Sequence, residues 1–171
     1  MAIRAGVLTI SDKASRGERV DTSGAAIMEL LTSIDAQIQR TEVVPDEASQ
    51  ISDTLRSWAD SGELDLIVTT GGTGLGPRDV TPEATAGVIE RPVPGLSELM
   101  RAEGVKHTPM AALSRGIAGV RGRCLIVNLP GSERGVRQNL SAIIDVLPHA
   151  VELLRGRVGD HPPAADSRAR G

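Results

Sequence analysis

The sequence predicts an α/β fold, and three observations carry that prediction. Short β-branched apolar runs alternate with segments whose apolar residues recur at helical spacing. Capping residues stand where helices would begin, at Asp21-Thr22-Ser23, Asp46 and Thr81-Pro82. The run Leu64-Asp65-Leu66-Ile67-Val68 leads directly into Thr69-Thr70-Gly71-Gly72-Thr73-Gly74, a glycine loop at the end of a buried strand.

Taken in order, the first strand spans 3–10 and stops at Ser11-Asp12, with a loop at 15–18. Asp21-Thr22-Ser23 caps a helix whose Ala26, Ile27, Leu30, Leu31 and Ile34 share one face. A second strand at 37–44 ends at Pro45, and Asp46 is in place to cap a helix with an apolar stripe of Ala48, Ile51, Leu55, Trp58 and Ala59. With the strand at Leu64 this reads βαβαβ, which requires a parallel sheet with helices on its faces. Thr81-Pro82-Glu83-Ala84 starts another helix, broken by Pro92 and Pro94-Gly95 before a further helix at Leu96. Residues 116–121 and 123–127 form a hairpin about Gly122, so the sheet is mixed. The last helix carries Val136, Leu140, Ile143, Ile144, Leu147, Val151 and Leu154, kinked at Pro148. One domain is expected over 1–155, with a flexible tail over 156–171.

Composition removes several classes of function. The chain has 171 residues, 40% hydrophobic and 24% charged, with a net charge of −3. With no Phe or Tyr and only Trp58 it lacks stacking platforms for single strands, and no basic face is evident, so nucleic acid is not an expected partner. No apolar run reaches membrane-spanning length and no signal peptide is evident, which with the single Cys124 points to the cytoplasm. Cys124 lies in an apolar run and reads as a small core residue. His107, His149 and His161 have no ligand spacing, and none is given a catalytic role.

The glycine loop carries the chemistry. Glycines let backbone N–H groups converge on an anion, and Arg78 and Asp79 place both signs of charge beside that cradle. A Walker loop is excluded, because no lysine occurs between Lys13 and Lys106. The dinucleotide fingerprint fails as well, since Pro77 stands where its third glycine belongs after Gly72 and Gly74. In open α/β sheets ligands bind beyond the carboxyl ends of the strands. Asp12, Asp46, the loop at 71–79 and Asn128-Leu129-Pro130-Gly131-Ser132 all fall at such ends.

Several segments in order resemble the MogA/MoaB family of molybdenum-cofactor biosynthesis proteins, also seen as the G domain of gephyrin. They include Ile10-Ser11-Asp12, Asp21-Thr22-Ser23-Gly24, Pro45-Asp46-Glu47, Thr70-Gly71-Gly72-Thr73-Gly74, Arg78-Asp79-Val80-Thr81-Pro82-Glu83-Ala84, Leu113-Ser114-Arg115 and Asn128-Leu129-Pro130-Gly131-Ser132. The resemblance implies a three-layer α/β/α fold with a mostly parallel mixed sheet, and a homotrimer. It also implies that the terminal phosphate of molybdopterin attacks the α-phosphate of ATP, releasing pyrophosphate and leaving adenylylated molybdopterin.

Residue by residue, Asp46 and Asp79 match the family's catalytic aspartates, and Mg²⁺ is inferred at them because two carboxylates would otherwise repel a polyphosphate. Ser11, Asp12, Gly71, Gly72, Thr73, Gly74 and Arg78 are expected on the nucleotide's phosphates. Ser114, Arg115, Pro130, Gly131 and Ser132 are candidates for the phosphate of the pterin, with Ser132 opening a helix. Plainer roles stay open: Asp46 as a helix cap, Asp79 as a partner of Arg78, and Ser114-Arg115 as a polar pair at a helix end. Two rival functions stay open too, a non-catalytic pterin-binding scaffold and a Mg²⁺-dependent nucleotide hydrolase of the CinA type. Docking of a molybdenum-insertion protein is a further possible partnership.

Overall fold

Side chains alternate across a strand, and here that alternation sorts the core into two halves. In the computed structural model, which describes residues 1–156, Ala5 and Val7 of β1 (Ile3–Ile10) point to one side, while Leu8 and Ile10 point to the other. β3 (Leu66–Thr70) divides Leu66 and Val68 from Ile67, and β6 (Cys124–Leu129) divides Leu125, Val127 and Leu129 from Cys124 and Ile126. All three strands are buried on both faces, as their near-continuous apolar sequences require of central parallel strands.

The helices complete the layers. Against the first face pack α2 (Thr22–Leu31), α5 (Pro94–Gly104), α6 (Glu133–Ile143) and α7 (Leu147–Leu154). Against the second lie α3 (Ala48–Asp60), through Ile51, Leu55 and Trp58, and α4 (Thr81–Ala86), through Ala84. Fully burying one such Leu or Ile side chain is worth about 1.5–3 kcal/mol, so each layer is secured by several residues rather than one. The result is the expected three-layer α/β/α arrangement.

The six-stranded sheet has the order β2-β1-β3-β6-β5-β4, with β2 (Ala36–Val44), β4 (Arg91–Pro92) and β5 (Ala118–Arg121) completing it. β2, β1, β3 and β6 run parallel, and β5 is antiparallel to both β6 and β4, so the sheet is mixed as the hairpin at Gly122 predicts. The parallel strands therefore end on one rim, followed by Ser11, Asp46, Gly71 and Pro130.

Local differences from the sequence reading have identifiable causes. Between the first strand and the loop expected at 15–18 stands a one-turn helix, α1 (Asp12–Ser15), which the Ser11 hydroxyl caps by accepting from the Ala14 N–H at 3.1 Å. Pro92 does not merely break a helix but lies in the two-residue edge strand β4. Pro148 does not kink one long helix either. A 3₁₀ turn over Ile144–Val146 separates α6 from α7, and Pro148 sits in the first turn of α7, where its missing N–H is harmless. The expected tail, past Gly156, and His161 lie outside the described residues.

Candidate active site

The glycine loop is shaped by close contacts that only glycine permits. Gly71 has φ +101°, and a Cβ there would fall 2.1 Å from the carbonyl oxygen of Ile10. Gly72 has φ +67°, and its Cβ would meet Thr81 Oγ1 at 2.3 Å and Asp46 Oδ1 at 3.2 Å. The turn is fixed from α4, because the Thr81 hydroxyl donates to Gly71 O at 2.8 Å and its N–H to Gly72 O at 3.1 Å. Neighbouring loops are tied to it: Thr70 Oγ1 donates to Pro130 O at 2.6 Å, and Ser23 Oγ to Gly131 O at 2.7 Å. Residues far apart in sequence thus meet on one rim.

Two clefts of about 440 Å³ each open there. The first is lined by Ser11, Asp46, Gly71 and the start of α2. The second is lined by Thr73, Gly74, Ser114, Pro130 and the polar face of α6. Gly72, Asp79, Gly131 and Ser132 line both, so the clefts adjoin at these residues.

Asp46 does not cap α3. The cap position is Glu47, which makes no side-chain capping bond, while Asp46 turns toward β1. Asp46 Oδ2 accepts from the Asp12 N–H at 2.9 Å, and Asp12 Oδ1 accepts from the Asp46 N–H at 3.0 Å. Burial raises the Asp46 carboxyl above the ordinary aspartate range; the Asp12 N–H opposes this, and the Asp12 and Asp79 carboxylates add to it. Asp79 is not paired with Arg78 either. Its Oδ2 accepts from the Gly76 N–H at 2.8 Å in a tight turn. Both plainer roles held open for these aspartates are thus absent, and both residues line the first cleft.

The two arginines expected near phosphate are directed elsewhere. Arg78 donates twice to Asp12, both at 3.0 Å, and once to Glu47 at 2.8 Å, and this guanidinium holds the Asp12 carboxyl below its usual range. Neither Arg78 nor Asp12 lines a cleft. Arg115 donates to Gly74 O at 2.8 Å and Asp79 O at 2.7 Å and pairs with Glu83, so it braces the glycine loop from behind. Ser114 separates from it: its carbonyl and that of Gly116 accept from Arg101, while the residue itself lines the second cleft. Ser132 caps α6, accepting from the Gly135 N–H at 3.0 Å, as its position predicts.

Other lining residues have no site role in the sequence reading. Arg19, Thr22 and Glu133 belong to the first cleft, and Arg134, Gln138 and Asn139 to the second. The i, i+4 spacing of Arg134 and Gln138 just after Ser132 is the signal by which the second group was detectable. Arg19 stands in a segment with no periodicity, and nothing local marks it. Among the described residues no helix is long and apolar enough to cross a membrane.

The model of the family described as "Probable molybdopterin binding domain" matches residues 6–149. A molybdopterin adenylyltransferase of Helicobacter pylori is 44% identical over 156 residues, covering 90% of this chain and 89% of that protein. The molybdenum cofactor synthesis protein cinnamon of Drosophila melanogaster is 47% identical over 154 residues, and there the match covers 90% of this chain but only 26% of the relative. Among solved structures, the molybdopterin biosynthesis enzyme MoaB of Thermus thermophilus superposes with a TM-score of 0.86 at 58% identity, covering 90% of this chain and 97% of that one.

Proposed function

Since this chain belongs to the molybdopterin-binding domain family, we propose that it is a molybdopterin adenylyltransferase acting in molybdenum-cofactor biosynthesis. A phosphate oxygen of molybdopterin attacks the α-phosphorus of ATP, the bond to the β-phosphate oxygen breaks, and pyrophosphate leaves with that electron pair. The observation that carries this reading is the meeting of two clefts at Gly72, Asp79, Gly131 and Ser132. A transfer between two substrates needs two adjoining sites more than it needs covalent chemistry from the protein.

The first cleft takes the nucleotide, with the N–H groups of the Gly71–Gly72 turn against its phosphates. The second takes the pterin, with its phosphate near Gly131 and the start of α6, where free N–H groups favour an anion. Arg115 and Thr81 act through the loop they fix, not on substrate. Asp46 and Asp79 would hold Mg²⁺. The donor set fits an ion that arrives with phosphate: Mg²⁺ is commonly bound by one or two carboxylates plus phosphate oxygens, and no group of three or more His, Cys, Asp or Glu among the described residues forms a self-sufficient metal site. When bound it supplies neutralisation of negative charge on the phosphates. Under this proposal Ser11, Gly71 and Gly72 stay with the nucleotide and Ser114, Pro130, Gly131 and Ser132 with the pterin, Asp12 and Arg78 act indirectly, and Thr73 and Gly74, expected on the nucleotide, line the second cleft instead.

By the same family resemblance the protein assembles as a homotrimer; the single Cys124 fits a reducing cytoplasm, and a molybdenum-insertion protein is a candidate recipient of the product. Light scattering should return three chain masses, and a stable monomer would remove the trimer. The decisive experiment incubates pure protein with molybdopterin and Mg-ATP and identifies products by mass spectrometry. Adenylylated molybdopterin and pyrophosphate are expected, and excess chelator should abolish both. Bound but unchanged molybdopterin would make the protein a scaffold. Nucleotide hydrolysis without molybdopterin would make it a hydrolase.

A further inference from the structure

The first cleft presents a charge problem for the ligand assigned to it. Asp21, Asp46, Asp79 and Glu133 are among its lining residues, and Arg19 is the single cation in that lining among the described residues. Opposite the acids, the two arginines nearest the glycine loop are committed, Arg78 to Asp12 and Glu47 and Arg115 to Glu83 and two carbonyls. Arg19 has no such commitment. It is exposed at the cleft, between α1 and α2, and makes no ion pair or hydrogen bond among the described residues. The adjacent acid, Glu18, is paired with Arg16 at 3.0 Å, and the carboxylate of Asp21, two residues on, is engaged by Thr9 Oγ1 at 2.6 Å and by the Gly24 N–H at 2.8 Å.

We propose that Arg19 is a positioning residue for the β- and γ-phosphates of the nucleotide, and so for the departing pyrophosphate; this rests on the adenylyltransferase reading. A guanidinium presents a planar fork of donors that matches two phosphate oxygens at once. A side chain already locked to carboxylates would have to break those bonds to do the same, which favours Arg19 over Arg78. Its exposed place at the cleft also suits the leaving group, which must depart to solvent, better than the α-phosphate held against the glycine turn. AMP, which lacks the β- and γ-phosphates, makes no use of Arg19.

Calorimetric titration of the full chain with inorganic pyrophosphate and with AMP, each in the presence of Mg²⁺, tests this directly. Arg19→Gln should weaken pyrophosphate binding about tenfold, the scale of one charge-assisted contact, and leave AMP binding and Tm unchanged. Arg19→Lys should recover part of the loss. Arg134→Gln removes the same charge from the second cleft and should leave pyrophosphate affinity intact. Equal pyrophosphate affinity in Arg19→Gln and wild type would overturn the proposal, as would equal losses for AMP and pyrophosphate or an equal effect of Arg134→Gln. These titrations do not depend on turnover. A protein that makes no adenylylated molybdopterin yet loses pyrophosphate on Arg19→Gln refutes the reaction and keeps the site; an active one indifferent to Arg19 does the reverse.

Discussion

At the N-terminal ends of the strands Asp65 is enclosed by cations, while at the C-terminal ends Asp46 and Asp79 line an open cleft. Asp65 has a side chain only 5% exposed and accepts five hydrogen bonds, three from Arg4 and two from Arg155. Arg155 continues to the carbonyls of Met1 and Ala2, which ties α7 to the start of β1. Burial alone would raise the Asp65 carboxyl, but the bonds from Arg4 and Arg155 outweigh it and hold it far below the usual range. Asp46 is shifted the other way, because its burial is compensated by one N–H and made worse by two neighbouring carboxylates. Arginines stand near it, yet they are turned to other partners. Charge cancelled within the fold serves stability, and charge left uncancelled at a cleft awaits a ligand.

The largest expected effect separates the two ends by activity. Asp46→Asn and Asp79→Asn, made singly, keep side-chain shape and should lower turnover by roughly two to three powers of ten, the scale of one lost preorganised electrostatic contact. Molybdopterin affinity and Tm should stay near wild type, since neither carboxylate is ion-paired within the protein. Normal steady-state turnover in both variants would return these aspartates to a purely structural role.

That prediction was framed from sequence, and the fold was legible there for a physical reason. Parallel central strands leave continuous apolar runs such as Leu66-Ile67-Val68, and surface helices leave stripes such as Ile51, Leu55 and Trp58, so local pattern and tertiary burial agree. The hairpin about Gly122 was legible for the same reason. The boundary between α6 and α7 was not, because apolar residues keep helical spacing through Ile144 and Leu147 while the backbone tightens into a 3₁₀ turn. In the site, the glycine loop was legible from its place at the end of β3, whereas roles for Asp46 and Asp79 came only from the family resemblance, their local sequence fitting a helix cap and a partner of Arg78 equally well. The partners of Arg78 and Arg115 could not. A guanidinium's choice between Asp79, Asp12 and Glu47 depends on which loops touch, and no spacing in the sequence encodes that. Arg19 escaped notice because its significance lies in what the other arginines already bind.

The second effect is on stability at the opposite end. Asp65→Asn leaves two arginines beside a neutral amide and should destabilise the protein by about 3 kcal/mol at pH 7, the range for breaking a buried pair. A carboxyl whose folded pKa is depressed contributes stability that is complete above its unfolded value and fades as pH falls through the folded one. Denaturant titrations should therefore show the gap between variant and wild type wide above about pH 5 and shrinking below about pH 4, the ordinary aspartate value. Activity per folded molecule should not change. A gap that is constant across this range would mean the loss comes from packing, not charge.

The smallest effect tests whether Arg78 belongs to the rim's chemistry or to its framework. Its side chain is 55% exposed, with Asp12 and Glu47 at 25% and 48%, so water screens these pairs far more than those of Asp65. Exposed pairs add little to stability, and Arg78→Gln should leave Tm nearly unchanged, with any loss diminishing further in high salt. Turnover should fall modestly, because Asp12 still receives the Asp46 N–H and still donates its own N–H to the Asp46 carboxylate. The KM for ATP should rise less than it does in Arg19→Gln. Freed of Arg78, the Asp12 carboxylate loses the neighbour that holds its pKa down, so whatever activity is lost should be lost most at low pH, where Asp12 protonates more readily than in wild type. A rise in KM for ATP larger than that of Arg19→Gln, with stability unchanged, would mean that Arg78 leaves Asp12 and Glu47 when nucleotide arrives, and the contrast between a committed and an uncommitted arginine would have to be redrawn.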